Sequence, residues 1–230
     1  MFIDRMSMTR QIRRMSYLAE RRLEEKERRR LEILEAAAEV AGVVGFEAMT
    51  MEQVARKARL SRALVYVYFK DKHDLLIGLC VRALEVLRER FTAAVAAEAQ
   101  GYKQVEACGR AYVRFASDHP TLFDALAQVE AHTPIADDPS LDISLKAGDE
   151  LQNILVEAIE RGKADGSIRP DAGPSALLGL TLWGLMHGVL QLTQHKSGSL
   201  ESAGVSQLEL IEQGFVFAAR AIASPSVLRS

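Results

Sequence analysis

Apolar residues recur along this chain at helical spacing and almost never in strict alternation. Ile33, Leu34, Ala37, Ala38 and Ala41 form one stripe over residues 30–44, because positions three and four apart share a helix face. Gly45 can end that helix in a left-handed conformation, and Phe46 and Met49 are expected to brace it from the core. The stretch Thr50 to Lys72 then reads as two short helices, 51–58 and 62–69, joined by a tight turn. Thr50 caps the first, with Gln53 at the third helical position to complete a capping box. Arg59, Leu60 and Ser61 break the periodicity, and Ser61 caps the second helix. Asp71 and Lys72 open a long helix with no proline or strong turn signal before Gly101. Leu75, Leu76, Leu79, Val86 and Leu87 supply its apolar side, Gly78 weakens it slightly, and it should run about 40 Å.

Further helices are expected at about 102–117, 120–131, 141–163, 173–194 and 204–223. Pro120 separates the first pair, since the residue before a proline is pushed out of the helical region. Thr133-Pro134 with Asp137-Asp138-Pro139, residues 162–173 and residues 196–204 read as connections. Few β-branched alternating runs are bounded by turn residues, so the expected fold class is all-α, without a sheet.

Two stretches stand apart. Residues 1–29 are strongly basic, with Arg10, Arg13, Arg14, Arg21, Arg22, Arg28 and Arg29. Met8, Ile12, Met15, Ala19 and Leu23 fall at helical spacing among them, so this extension is either a helix, a basic arm that orders on phosphates, or a frayed solvated segment. Residues 177–192, LLGLTLWGLMHGVLQL, are apolar on almost every side. Such a helix must be buried all round, and Gly179, Gly184 and Gly188 would let another backbone approach closely. Leu208, Ile211, Phe215 and Ala218 give the last helix a stripe of its own. Together the two helices suggest a homodimer interface built as a four-helix bundle, with Leu180, Gly184 and Gln191 on one and Leu208, Ile211, Phe215 and Ala218 on the other.

Composition narrows the class. The 230 residues are 48% hydrophobic and 26% charged, with a net charge of −2, as in soluble globular chains. That balance hides an asymmetry: residues 1–72 hold 16 Lys+Arg against 11 Asp+Glu. A basic N-terminal part on an acidic body suits a nucleic-acid reader with a second function elsewhere. No 18-residue uninterrupted apolar run predicts a membrane span, and no compact apolar segment with a cleavage site predicts a secretory signal. A cytoplasmic location is expected, with Cys80 and Cys108 as buried free thiols.

A short helix, a tight turn and a second helix is the layout that inserts its second helix into the DNA major groove. The exposed side of 62–69 would carry Arg62, Ala63 and Tyr66. Arg62 can hydrogen-bond guanine O6 and N7. Tyr66 and Tyr68 can meet sugars or phosphates, although Tyr68 is as readily core. Thr50, Ser61 and Lys72 stand at helix starts, where hydroxyl, ammonium and backbone N–H groups suit phosphate oxygens; Val65 and Phe69 face the core.

These residues carry a family resemblance. The run from Ile33 to Leu76, with its alanine-rich first helix, Gly45-Phe46, Thr50, Val54-Ala55, Leu60-Ser61, Tyr66, Tyr68-Phe69, Lys72 and Leu75-Leu76, resembles the DNA-binding domain of the tetracycline-repressor (TetR) family. The run Trp183 to Gly188 is similar to a Trp-…-His-Gly pattern in some members' ligand domains. The resemblance implies an all-helical homodimer of about nine helices. It implies an extension at 1–29, a DNA-binding domain at 30–72 and an effector-binding and dimerisation domain at 73–230. It implies a repressor released from its operator by a small, largely apolar effector. Two positions depart from the family pattern. Arg59 stands where glycine is common in the turn, at a cost of about 1 kcal/mol if it is left-handed. Leu64 stands where a small hydroxyl residue is usual.

Candidate effector contacts are Tyr112, Phe115, Phe123, Trp183, Met186 and His187, since aromatic and Met side chains line apolar pockets and a histidine can supply one polar contact. His187 reads equally as a hydrogen-bonded structural histidine or a dimer contact. The five histidines and two cysteines show no metal-ligand spacing, so no metal or other cofactor is expected. No nucleophile, phosphate-loop or dinucleotide motif appears, so no enzymatic activity is expected. Two other readings stay open. One is a helical regulator controlled by a protein partner, which would lack an enclosed apolar cavity. The other is a bundle enzyme, which would bring several titratable side chains together inside one.

Overall fold

The computed structural model describes the backbone of residues 3–130 and 139–229 and the side chains of 17–128 and 141–229. The expected loop at Thr133-Pro134 and Asp137-Asp138 lies outside the described residues, as do the side chains of Met8, Ile12 and Met15. The described residues hold ten α-helices: α1 (Ile3–Ala48), α2 (Met51–Lys57), α3 (Arg62–Tyr68), α4 (Lys72–Ala96), α5 (Gly101–Asp118), α6 (Pro120–Glu130), α7 (Pro139–Ala164), α8 (Ser175–His195), α9 (Ser197–Ala203) and α10 (Gln207–Ile222). The fold class is all-α, as expected. The chain divides into two compact units, Met1–Leu79 and Cys80–Ser230.

In the first unit, α1 is far longer than the 30–44 helix expected from its stripe, because the basic extension continues it from Ile3. Glutamates one turn away hold its arginines. Arg28 pairs with Glu25 at 2.6 Å and Glu32 at 2.5 Å, and Arg29 with Glu32 at 2.8 Å. Each exposed pair contributes little by itself, but together they favour helix where little apolar surface is buried. Gly45 breaks the helix, with φ 80° and ψ 158°. Its φ is positive as expected, but its ψ is extended, so it kinks the chain and a last turn follows. Ile33, Leu34, Met49, Val54, Val65, Phe69 and Leu75 are each at most 2% exposed and form the core; Phe46 is only half-buried.

The turn between α2 and α3 is closed by backbone chemistry. Leu60 N–H donates to Ala55 C=O at 2.9 Å and Arg59 N–H to Arg56 C=O at 3.2 Å. This six-to-one and five-to-two pair is a Schellman motif, which needs a left-handed residue after the helix cap. Arg59 is that residue, with φ 57°. Asp71 then caps α4, accepting from Asp74 N–H at 2.8 Å, while the Asp74 carboxylate accepts from Lys70 N–H at 2.9 Å. Gly78 on α4 has a packing reason that its effect on helix propensity did not suggest. A Cβ there would lie 2.8 Å from the Phe69 ring and 3.0 Å from Leu34.

The second unit is built around α5, which packs on α6, α7 and α8. Phe115, Phe123 and Ile159 are fully buried in its core. The N-terminus of α5 meets the end of α7 backbone to backbone. Gly101 N–H donates to Asp165 Oδ2 at 2.8 Å and Tyr102 N–H to Ser167 Oγ at 3.0 Å, so residues beyond α7 cap α5. The expected connection at 162–173 holds a 3₁₀ turn at Pro170–Ala172 and an isolated bridge from Ile168 to Ala223. The expected loop at 196–204 instead contains α9. Its serine-rich sequence carries no apolar stripe; a second Schellman closure at left-handed Gly204 ends it.

The helix α8 departs from the expectation that no span is long and apolar enough to cross a membrane. By length and composition it is apolar enough, yet only 33% of its most apolar stretch is buried within the chain. Leu182, Met186, Val189 and Leu190 face inward, while Leu177, Leu180 and Leu192 are 61%, 53% and 46% exposed. Gly184 and Gly188 lie on the open side, with nothing within 4 Å of an added Cβ.

Candidate nucleic-acid interface and apolar cavity

Short-range capping positions the exposed end of the first unit. Thr50 N–H donates to Gln53 Oε1 at 2.8 Å, and Gln53 N–H donates back to Thr50 Oγ1 at 3.3 Å. Ser61 Oγ accepts from Leu64 N–H at 3.2 Å. Both hydroxyl residues remain exposed at their helix starts. On α3, Arg62, Ala63 and Tyr66 share one solvent face, as their spacing predicts. The Arg62 guanidinium lies 5.5 Å over the Tyr66 ring and reaches its hydroxyl at 3.4 Å, so each side chain steadies the other. Val67, 72% exposed on the same helix, carries no polar group and was not singled out from the sequence. An exposed valine on a helix of this kind offers a methyl surface to a thymine methyl group.

Two residues expected in the same set are placed differently. The Lys72 ammonium donates to Glu47 C=O at 2.6 Å, at the end of α1, where a cation satisfies orphan carbonyls. It therefore ties α4 to α1 through one of its three N–H donors. Tyr68 is half-buried and lines a hollow against Leu23, Lys26 and Arg30 of α1.

The second unit contains a cavity of about 680 Å³, within the range that accepts a drug-sized ligand. Helices α4, α5, α7, α8 and α10 contribute its wall. Apolar and aromatic groups dominate, among them Leu84, Leu87 and Phe91 of α4 and Tyr102 and Val105 of α5. Exposed Leu145, Leu180 and Val216 also line it, so it opens to solvent on that side. Of the six residues expected to meet an effector, Tyr112, Trp183 and Met186 line the cavity, whereas Phe115, Phe123 and His187 do not. Phe115 and Phe123 are fully buried core. His187 belongs to an aromatic cluster behind the wall. Its Nδ1 shares a 2.7 Å hydrogen bond with the Tyr112 hydroxyl, and its ring centroid lies 5.0 Å from Phe123 and 5.5 Å from Trp183.

Three residues expected at a dimer interface also have contacts within the chain. Ile211, Phe215 and Ala218 pack against the chain's own core, and Phe215 and Ala218 line the cavity. Phe215 sits over α5, 2.8 Å from where a Gly109 Cβ would be, with the Arg110 guanidinium 4.5 Å from its ring. The stripe is apolar as read, and part of its surface is used within the chain. The outward face of α10 carries Leu208 and Phe217, 68% and 62% exposed. Leu180 and Gly184 of α8 do face outward, and Gln191 is half-buried.

Titratable groups around the cavity do not form a catalytic constellation. Burial pushes the Cys108 thiol up to about 12, which leaves it protonated and unreactive at neutral pH. Two of the carboxylates on the cavity wall, Glu106 and Glu212, are ion-paired with its guanidinium, that of Arg110, and Asp149 is exposed. Burial lowers the His187 pKa, opposed in smaller measure by Asp124. The folded unit therefore rejects a proton that the unfolded chain accepts near pH 6.5. Stability is full above that pH and falls as pH drops from the unfolded value toward the folded one. Scanning calorimetry should show a larger fall in Tm between pH 7 and pH 5.5 for the wild type than for His187→Gln.

An exposed helix-turn-helix on one unit, followed by a helical unit with an apolar compartment, defines a DNA-binding transcriptional regulator. Comparison with known proteins supplies the family. Residues 33–79 match the family model described as bacterial regulatory proteins, tetR family, and residues 105–209 match the tetracyclin repressor-like C-terminal domain. The chain is 29% identical over 154 residues to the HTH-type transcriptional repressor NicS of Pseudomonas putida, covering 65% of this chain and 70% of that one. It is 38% identical over 86 residues to the HTH-type transcriptional regulator BetI of Rhizobium meliloti. That match covers 37% of this chain and spans only 42% of the relative's length. The fold is shared with the transcriptional regulator FadR of Bacillus subtilis, solved in complex with stearoyl-CoA. The TM-score is 0.66 at 17% identity, over 84% of this chain and 98% of that one. The chain belongs to the TetR family of transcriptional regulators. Its homologues are DNA-binding regulators, not enzymes.

Proposed function

We propose that this protein is a cytoplasmic, homodimeric repressor released from its operator by a small, largely apolar effector. The observation that carries the reading is the cavity of about 680 Å³ with its apolar wall, a compartment that regulation through a protein partner would not need. The FadR complex supports it, since that protein of the same fold holds a ligand with a long acyl chain. On DNA, α3 enters the major groove with Arg62, Ala63, Tyr66 and Val67 against base edges and backbone. Thr50 and Ser61 offer hydroxyls and helix N-termini to phosphates. Two-fold symmetry calls for a near-palindromic operator with half-sites about 34 Å apart.

The coupling runs along α4. This helix begins at Lys72, with three residues between it and α3, and its later residues Cys80, Leu84, Leu87 and Phe91 line the cavity. A ligand that fills the cavity and displaces that wall tilts the helix and changes the separation of the two reading heads. A hundredfold preference for the displaced state amounts to about 2.7 kcal/mol of coupling. The test is a joint titration of operator and effector. Release of DNA as effector saturates supports the reading, and two independent isotherms reject it.

The dimer rests on the outward faces of α8 and α10. Leu177, Leu180 and Leu192 together with Leu208 and Phe217 form an exposed apolar surface that water covers poorly. Gly184 and Gly188 let a second backbone approach. Leu180→Asp combined with Phe217→Asp should give a monomer by sedimentation equilibrium, with helicity retained and operator affinity lost.

A further inference from the structure

The wall of the cavity is mostly apolar; Ser144 and Gln152 add neutral polar groups, and three of its four charged positions are carboxylates. Glu106, Asp149 and Glu212 line it against a single guanidinium, that of Arg110. That guanidinium is already engaged twice, with Glu106 at 3.1 Å and Glu212 at 3.2 Å, and its face lies on Phe215. An anionic head group would find no uncommitted cation there and would have to displace a carboxylate from Arg110. Asp149, exposed on α7, makes no ion pair among the described residues. Glu106 is ionised: burial works to raise its pKa, but hydrogen bonds from Lys103 and Arg110 more than offset this. The same wall carries the rings of Phe91, Tyr112 and Trp183, whose faces attract cations, while those of Tyr102 and Phe215 already face Lys103 and Arg110.

We infer that the cavity takes a cationic amphiphile: an apolar body among the leucines and aromatic rings, and an amine or quaternary ammonium head near Asp149 and Glu212. This rests on the reading of the cavity as the effector site and adds the charge of the ligand. An acyl-CoA, whose phosphates would face these carboxylates, is the wrong chemistry for this wall, although the fold is shared with a protein that holds one. Burial of the tail supplies affinity at roughly 25 cal/mol per Å² of apolar surface whatever the head group is, so the head decides selectivity.

Trp183 is the only tryptophan in the chain and lies on the cavity wall, so its fluorescence reports occupancy. Octyltrimethylammonium, octanol and octanoate share one tail and differ in charge. Titrated into the full-length protein, the ammonium should bind about tenfold more tightly than octanol, with octanoate weakest. Raised salt should narrow the gap. In Asp149→Asn combined with Glu212→Gln, octanol affinity should stay constant while the ammonium loses its advantage and octanoate gains. Octanoate binding as tightly as the ammonium in the wild type would overturn the charge assignment and leave the effector site standing. If no probe perturbs Trp183, the effector reading of the cavity fails as well.

Discussion

Replacing Arg62 and Tyr66 together by alanine should lower operator affinity about a hundredfold or more while leaving Tm and oligomeric state unchanged. A well-placed arginine on a guanine edge contributes about 1–3 kcal/mol, and the lost phosphate or sugar contact of Tyr66 adds to it. Both side chains are exposed, and their main contact is with each other, so their removal empties no core. The single changes should not be additive. Tyr66→Ala releases the Arg62 side chain and raises the entropy it must lose on DNA, so part of the arginine's contribution disappears with the tyrosine. Fluorescence anisotropy with labelled operator, run at several salt concentrations, separates the two roles. Loss of a phosphate contact flattens the salt dependence, whereas loss of a base contact does not. Unchanged affinity in the double variant would place the reading face elsewhere on α3.

The largest effect on stability is expected from one methyl group. In Gly101→Ala the new Cβ would lie 2.0 Å from the Gly162 nitrogen and 2.3 Å from its Cα. Both are backbone atoms, so no side-chain rotation relieves the clash, and α5 must draw away from α7. That movement also stretches the capping bonds from Gly101 N–H to Asp165 and from Tyr102 N–H to Ser167. A loss of about 3 kcal/mol or more is expected, equivalent to a Tm roughly 6–12 °C lower for a unit of this size. Gly148→Ala is the control. A Cβ there meets nothing within 4 Å, and alanine in the interior of α7 should add about 0.5–1 kcal/mol of stability. Equal Tm values for the two variants would mean that α5 and α7 do not meet as described.

The reading head was legible in the sequence because local chemistry determines it. The capping box at Thr50 and Gln53, the cap at Ser61 and the boundaries of α2 and α3 depend on residues no more than four apart. What depends on distant residues was legible only in part. The stripe Ile211, Phe215 and Ala218 is visible as a stripe, but its periodicity is the same whether its partner is α5 of the same chain or a second copy. The aromatic residues of α5 and α8 were recognised as a group. Which of them face the cavity depends on rotations of a few tens of degrees about each helix, which spacing does not record. Phe91 was missed because α4 reads as a plain amphipathic link, and an aromatic residue on its apolar side looks like core, as does Tyr102 in the first turn of α5. The tie from Lys72 to α1 was not legible for a related reason. Its hydrogen-bond acceptor, Glu47 C=O, is a backbone atom 25 residues away, and no side-chain pattern announces it.

The left-handed residue in the reading head, Arg59, sets two free-energy terms against each other. A side chain at φ 57° costs about 1 kcal/mol relative to glycine. Glycine in the unfolded chain samples more conformations, and its entropy loss on folding is greater by about 0.4–1 kcal/mol. Arg59→Gly should therefore change the unfolding free energy very little. What it does change is a positive charge on an exposed turn two residues before the cap of α3. The departure from glycine is therefore close to neutral for folding and available to electrostatics. Its effect belongs in the encounter rate with DNA rather than in the stability of the turn.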